Sequence, residues 1–148
     1  MENTIKIELS SKPSNEKIAR HMISSMLLDL NPTVEEICDI KTAVSEAVTN
    51  SIIHAYGNEG GIITMKLSME GNEILIEVAD EGVGMADVQQ AMEPLYTTRP
   101  ELERSGMGFS FMEAFMDELE VISEPYVGTR VLMKKRIGVS KTLWNDEE

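Results

Sequence analysis

A carboxylate and an amide are spaced so that they could act on the same ligand. Glu46 and Asn50 are four residues apart in a segment with helical periodicity, which places their side chains on one helix face about one turn apart. A carboxylate can accept a proton from a hydroxyl group or orient a water molecule, and an amide oxygen is a hard ligand that suits magnesium. The pair therefore predicts a base, Glu46, beside a metal ligand, Asn50.

A second segment combines an aspartate with two glycines. Asp80, Gly82 and Gly84 follow directly from an apolar, alternating stretch. The aspartate can accept a hydrogen bond from an exocyclic amine such as that of adenine, and the glycines allow the backbone to approach a ligand closely. This segment predicts the part of a nucleotide site that reads the base.

A third segment, made of Ser105, Gly106, Met107 and Gly108, lies where a polar loop becomes a helix. Free backbone N–H groups at a helix start can bind a phosphate chain, whose negative charge the helix dipole favours. No GxxxxGK[ST] motif occurs in the sequence, which excludes a P-loop site, and the lysine-centred set of protein kinases is also missing.

Hydrophobic periodicity predicts the elements that position these residues, in an arrangement of helices over a mainly antiparallel sheet. Two helices come early, a third begins at the last glycine segment, and a loop with a short helical patch precedes it. The expected strands are Thr4 to Ser10, Ile62 to Met69, Glu73 to Ala79, Glu120 to Glu124 and Thr129 to Lys135, and the expected helices are Ser14 to Leu30, Thr33 to His54, Met85 to Met92 and Gly106 to Leu119.

The starts of the first two helices carry recognisable capping residues. Ser14 is expected to cap the first helix, whose apolar stripe includes Ile18 and Met22. Thr33 and Glu36 have the spacing of a capping box and predict the start of the second helix, which carries the carboxylate and the amide.

Composition limits the classes of function. The 148 residues fit one domain, 1–148, with a flexible tail from about residue 137. Acidic residues outnumber basic ones by 26 to 13, and the net charge of −13 makes tight binding to nucleic acid or to an anionic membrane unfavourable. No secretory signal or membrane span is recognisable, which predicts a cytoplasmic protein. The single cysteine, Cys38, stands among apolar residues and is interpreted as a buried thiol.

Each of the three segments is also typical of ordinary turns or polar helix surface, but their order and spacing resemble the GHKL superfamily of ATP-binding domains. That family carries an ExxxN helix, a DxGxG box and a later glycine box, in the same order as here. The resemblance covers about Thr4 to Lys135 and implies an α/β (α+β) two-layer sandwich with a mixed, mainly antiparallel sheet.

The resemblance also implies roles for individual residues. It implies that Mg²⁺ binds Asn50, that Asp80 reads the adenine amine of ATP or ADP with support from Thr129, and that a loop including Thr97 and Thr98 closes over the phosphates. Within the superfamily, the segments SEAVTNSIIHAYG, VADEGVGM and RSGMGFSFMEAFMD resemble the bacterial anti-sigma serine kinases, including those of sporulation.

Members of that family bind a sigma factor and phosphorylate a serine on an anti-anti-sigma protein, and they are homodimers. By this resemblance Glu46 is the base for the serine hydroxyl, and Arg20 on the first helix contacts both protein partners. The dimer interface would use the first helix or the apolar side of the first strand, Ile5, Ile7 and Leu9, although that side could equally face the domain's own core. Two other functions remain open: a nucleotide-gated sigma-binding protein without kinase activity, and an ATPase domain of a clamp-type machine.

Overall fold

The computed structural model describes residues 2–56, 60–85, 87–92 and 108–138 of the chain. Five strands and four α-helices lie in these ranges, together with one 3₁₀ turn and one π-helical turn. In chain order they are β1 (Asn3–Ser10), α1 (Ser14–Met26), the 3₁₀ turn (Leu28–Leu30), α2 (Val34–Asn50), the π turn (Ser51–Ala55), β2 (Ile62–Glu70), β3 (Glu73–Asp80), α3 (Val88–Ala91), α4 (Gly108–Phe115), β4 (Glu118–Glu124) and β5 (Gly128–Arg136).

The strands form one sheet in the order β1-β2-β3-β5-β4, and every neighbouring pair is antiparallel. Alternate residues of β2 and β3 are buried, because one face of the sheet packs against the helices. The predicted α/β two-layer sandwich is confirmed, and the sheet, expected to be mixed and mainly antiparallel, is antiparallel at all four strand junctions of the described residues.

The core lies between this face and the helices α1, α2 and α4. Its largest fully buried side chains include Ile40 and Val44 on α2, Leu67 on β2 and Ile76 on β3. Because α2 packs on both α1 and α4, it is the central helix of the layer. Its contacts on two sides hold its side chains in place.

The capping box at the start of α2 is confirmed. The Glu36 N–H donates to Thr33 Oγ1 over 3.0 Å, and the Thr33 N–H donates to Glu36 Oε1 over 2.8 Å. The expected cap on α1 is wrong, since Ser14 is already helical and Pro13 occupies the cap position without a side-chain hydrogen bond. Proline suits this place because it has no N–H to satisfy and a helical φ.

The buried face of α1 differs from the predicted stripe. Ala19 and Ile23 are fully buried, whereas Ile18 is 47% and Met22 is 37% exposed. The two stripes are adjacent on a helix, and the small Ala19 side chain allows α1 to pack closely against its neighbours. Helical spacing alone could not tell which stripe faces the core.

Cys38 is exposed, not buried. It lies two positions before the buried Ile40, about 200° around the helix, so it points away from the core despite its apolar sequence neighbours.

The last helix is shorter than expected, ending at Phe115, and the next strand starts at Glu118. The backbone N–H of Asp117 donates to Lys134 O over 2.8 Å, and the Asp117 carboxylate accepts the Arg136 N–H, also over 2.8 Å. Pairing with the neighbouring strand therefore replaces the final helical turn. Helix propensity, which depends on local sequence, could not predict this pairing.

Ile137, the first residue of the predicted tail, belongs to the core. Ile137 is 4% exposed within the core, and its N–H donates to Asn72 O over 2.8 Å. The rest of the predicted tail, residues 139–148, lies outside the described ranges. No helix within those ranges is long and apolar enough to span a membrane.

Candidate functional site

Glu46, Asn50 and Gly108 meet at the contact between α2 and α4. A side-chain carbon placed on Gly108 would lie 3.1 Å from Glu46 Oε2 and 3.3 Å from Asn50 Nδ2. The spacing of four residues puts both side chains on the same face of α2, and α4 begins at Gly108 in front of them. Glycine therefore keeps open the space between this helix start and the two polar groups.

The Asn50 amide suits a hard cation. In the part of the chain that the structure describes, its side chain makes no hydrogen bond, and it is partly exposed beside the Glu46 carboxylate. No group of three or more His, Cys, Asp or Glu side chains that could hold a metal occurs among the described residues. The Asn50 amide beside the Glu46 carboxylate fits magnesium, which commonly takes one or two protein ligands together with phosphate oxygens and water.

Asp80 ends β3 on the buried face of the sheet and is 8% exposed. Its Oδ1 accepts the Gly82 N–H over 3.1 Å and the Thr129 N–H over 3.2 Å. Its Oδ2 accepts the Ser51 hydroxyl over 2.8 Å. The carboxylate is thus held from three directions, by its own loop, by β5 and by the helix that follows Asn50.

Burial raises the pKa of Asp80 above its usual value, because the charged form loses hydration. The hydrogen bonds from Ser51, Gly82 and Thr129 act in the opposite direction, since they stabilise the carboxylate. Burial is the larger effect.

The loop after Asp80 is fixed against two other elements. The Val83 N–H donates to Ala55 O over 3.1 Å, and Val83 O accepts the Tyr126 N–H over 2.6 Å. Gly82 packs so closely on Ala55 that a side chain there would collide with it. Gly84 has φ of +69° and lies against Glu124 O, which requires glycine both for its conformation and for lack of space.

Tyr56 joins the end of the π turn to the same loop. Its hydroxyl donates to Ile62 O and accepts the Glu81 N–H, both over 2.7 Å, and its ring covers Gly61. Burial raises the pKa of Tyr56, and the nearby carboxylates of Asp80 and Glu81 raise it further. The phenol therefore stays protonated and keeps its donor bond.

Thr129 is anchored through a serine on the adjacent strand. Ser123 Oγ donates to Gly128 O over 3.1 Å, lies 2.7 Å from Thr129 Oγ1 and accepts the Met85 N–H over 2.8 Å. Because Ser123 uses its single hydroxyl proton on Gly128, the Thr129 hydroxyl donates to Ser123. The fixed Thr129 backbone then presents its N–H to Asp80.

The remaining predicted nucleotide contacts lie outside the described residues: Thr97, Thr98, Ser105, Gly106 and Met107. The loop predicted to close over the phosphates, which contains Thr97 and Thr98, lies outside them as well. The described ranges bring Glu46, Asn50 and Gly108 into one group and place Asp80, Gly82, Gly84 and Thr129 in a second.

Arg20 belongs to neither group. It lies on α1, where its Nε is 2.9 Å from Glu16 Oε2 one helical turn away, and its side chain is 36% exposed. Among the described residues it is therefore a surface arginine paired with a carboxylate on its own helix.

Sequence patterns did not single out three residues that shape the site: Ser51, Tyr56 and Ser123. Ser51 had one available signal, since it is a hydroxyl residue inside the apolar end of a helix next to Asn50. The bonds of Ser51 and Tyr56 to the Asp80 loop span 29 and 25 residues of sequence, beyond the reach of local spacing.

The fold is shared with a solved structure of a protein from Mycobacterium tuberculosis. The RsbU and RsbW domains of Rv1364c from Mycobacterium tuberculosis match with a TM-score of 0.67, over 91% of this chain and 32% of that one. At 20% sequence identity this likeness concerns the fold.

Sequence comparison extends the likeness to a family. Residues 9–135 match the histidine kinase-like ATPase domain. The chain is 51% identical to an anti-sigma F factor of Clostridium acetobutylicum and 57% identical to one of Thermoanaerobacter sp., each alignment covering 94% of this chain and 97% of the relative. The chain therefore belongs to the histidine kinase-like ATPase domain family, a nucleotide-binding fold, within the branch formed by the anti-sigma F factors.

Proposed function

We propose that this protein is an anti-sigma factor that is also a protein-serine kinase. It binds and inhibits a sporulation sigma factor, sigma F, and uses Mg-ATP to phosphorylate a serine on its anti-anti-sigma antagonist. The observation that carries the kinase part is the space in front of Gly108, bounded by the Glu46 carboxylate and the Asn50 amide. The sigma-factor part is supported by relatives that are anti-sigma F factors along nearly their whole length.

The nucleotide would extend from Asp80 to the start of α4. Asp80 would accept the adenine amine at the buried end, and Asn50 would be the protein ligand of magnesium at the phosphate end. The N–H groups before and at Gly108 would face the phosphates, together with Thr97 and Thr98 from the preceding loop. Magnesium, when bound, would supply positive charge that offsets the charge of the phosphates.

Glu46 would remove the proton from the incoming serine. The serine oxygen forms a bond to the γ-phosphorus while the bond from that phosphorus to the β–γ bridging oxygen breaks, so ADP leaves and phosphoserine forms. The hydroxyl proton passes to the Glu46 carboxylate. Phosphoryl transfer requires mainly that the protein position the reactants and stabilise charge, so the Glu46 carboxylate and the start of α4 would supply what the step needs.

The protein partners would approach from α1 and from the phosphate end of the site. Arg20 would contact both the sigma factor and the antagonist, since its side chain is partly exposed on α1. The protein would act as a homodimer, with Ile18 and Met22 of the same helix in the interface.

The variant Glu46→Gln tests the kinase function directly. With labelled ATP and the purified antagonist, we expect transfer to fall by about 100-fold or more, because general base catalysis contributes this much. ADP affinity should stay within about twofold, because the amide occupies the same volume. Glu35→Gln is the matched control, since Glu35 is an exposed carboxylate in the first turn of the same helix.

The outcomes separate the alternatives. Unchanged transfer by Glu46→Gln removes Glu46 as the base. A wild-type protein that binds the sigma factor but labels no serine is a nucleotide-gated binding protein. Steady ATP hydrolysis without any partner indicates instead an ATPase of the clamp type.

A further inference from the structure

Ser51 and Asp80 are the two buried polar side chains among the described residues, and they bond to each other. Ser51 is 5% exposed and begins the π turn directly after Asn50. Its hydroxyl donates to Asp80 Oδ2 over 2.8 Å. A serine inside a helix commonly donates to the carbonyl four residues earlier. Here the hydroxyl reaches a strand 29 residues away instead, so the bond links two elements of the fold.

The hydrogen bonds to Asp80 nearly fill its capacity. An ionised carboxylate offers about four acceptor positions, two on each oxygen. The Gly82 and Thr129 N–H groups occupy both positions of Oδ1, and the Ser51 hydroxyl occupies one position of Oδ2. One acceptor position remains, and it lies on the oxygen that Ser51 holds.

We infer that Ser51 is a positioning residue for base recognition, which turns the last free acceptor of Asp80 toward the exocyclic amine of adenine. This inference rests on the proposed nucleotide site. Adenine presents a donor at that position and guanine presents a carbonyl oxygen, which a carboxylate with only acceptor capacity repels. Ser51 thereby contributes to the preference for adenine over guanine nucleotides.

Ser51 also helps Asp80 to remain acceptor-only. Burial raises the pKa of Asp80, and the hydroxyl bond is the first of the effects that oppose this rise. Without the bond, a larger fraction of Asp80 would carry a proton and could donate to the guanine carbonyl. Orientation and ionisation therefore act in the same direction.

A pair of ligands separates this role from a general packing role. Binding of ADP and of purine riboside 5′-diphosphate, which lacks the amine, is measured by calorimetry for wild type, Ser51→Ala and Ser51→Cys. We expect Ser51→Ala to weaken ADP about tenfold, the value of one hydrogen bond to a charged group. The ligand without the amine should change by less than about twofold. Ser51→Cys keeps the shape with a weaker donor, so its loss for ADP should be intermediate.

Ser25→Ala is the control, because the Ser25 hydroxyl donates to His21 O within its own helix. Equal weakening of both ligands by Ser51→Ala would overturn the inference and assign Ser51 to packing, leaving the proposed function intact. Failure of wild type to bind either ligand would instead contradict the proposed function itself.

Discussion

At the scale of single residues, burial and hydrogen bonding act on the Asp80 carboxylate in opposite directions. Burial disfavours its charge and raises its pKa, while three hydrogen bonds favour the charge without fully compensating. An ionised Asp80 is therefore less stable in the folded protein than in water. The proposed contact with adenine would benefit from this state, because a partly desolvated acceptor gains more from an incoming donor than a hydrated one does.

This balance predicts an unusual dependence of stability on pH. Because the folded pKa of Asp80 is above its unfolded value, the folded state binds more protons between the two values, and the free energy of unfolding falls as pH rises through that window. Asp80→Asn removes this contribution. Urea unfolding of both proteins from about pH 4 to 7 should show the advantage of wild type over Asp80→Asn shrinking as pH rises. A difference that is constant with pH would contradict the assignment.

The sequence identified the residues of the site whose spacing is local. Glu46 and Asn50 were found because four residues make one helical turn, and Asp80 and Gly108 because each lies at the end or start of an element. Their functional roles remain predictions. The hydrogen bonds of Ser51 and Tyr56 to the Asp80 loop could not be predicted from the sequence. They depend on how α2 and β3 pack, and no local pattern encodes that packing.

At the scale of elements, the loop after Asp80, which we propose reads the base, is positioned by the sheet and by the end of α2 together. The backbone bonds of Val83 to Ala55 and Tyr126 join the loop to the π turn and to the turn between β4 and β5. A π turn changes the direction of the backbone carbonyls, and such turns are frequent at functional sites. The helix that carries the proposed metal ligand thus also supports the loop that is proposed to read the base.

Two glycines with similar backbone conformations test this arrangement. Gly84 and Gly71 have φ of +69° and +61°, but a side chain at Gly71 meets open space, whereas one at Gly84 would overlap Glu124 O. Gly71→Ala should cost about 1 kcal/mol of stability from conformation alone. Gly84→Ala should cost more and should also weaken ADP binding. Equal losses in urea unfolding, with ADP affinity unchanged in both variants, would show that the loop has room to move.

Element types were predictable because apolar residues recur with the period of a helix or a strand. The capping box and the strands β2 and β3 also follow from local spacing and are confirmed. The buried face of α1 was predicted wrongly. Ile18 and Ala19 belong to adjacent stripes, and in the folded protein the stripe with the smaller residue, Ala19, packs against the core. The exposure of Cys38 has its own cause on α2, where Ile40 faces the core and Cys38 points away from it.

At the scale of the whole molecule, the net charge of −13 restricts how an acidic partner surface can approach. Arg20 offers a cation on α1, held by Glu16 at 2.9 Å. Arg20→Ala should weaken binding of the sigma factor by about tenfold, in the range of an interface arginine, and should leave ADP affinity unchanged. Lys17→Ala, an exposed cation on the same helix, is the control in the same titration. Equal effects of the two variants would indicate general charge attraction instead of a specific contact.

The proposed dimer needs an exposed apolar surface, and α1 offers one. Ile5 and Ile7 pack against the core and Leu9 is buried in it, so the core-facing side of β1 is already used within the subunit. Ile18 and Met22, one turn apart and both exposed, remain as the apolar surface of α1.

Ile18→Glu should therefore convert the dimer to a monomer in sedimentation equilibrium at about 10 μM, because a charge would be buried without a partner. Val34→Glu, which alters an apolar residue that is 79% exposed at the start of α2, should leave the dimer intact. ADP binding should persist in both variants, since both side chains are exposed and belong to neither group of candidate site residues. A wild-type protein that sediments as a monomer would exclude the dimer, and an Ile18→Glu variant that remains dimeric would move the interface away from this face of α1.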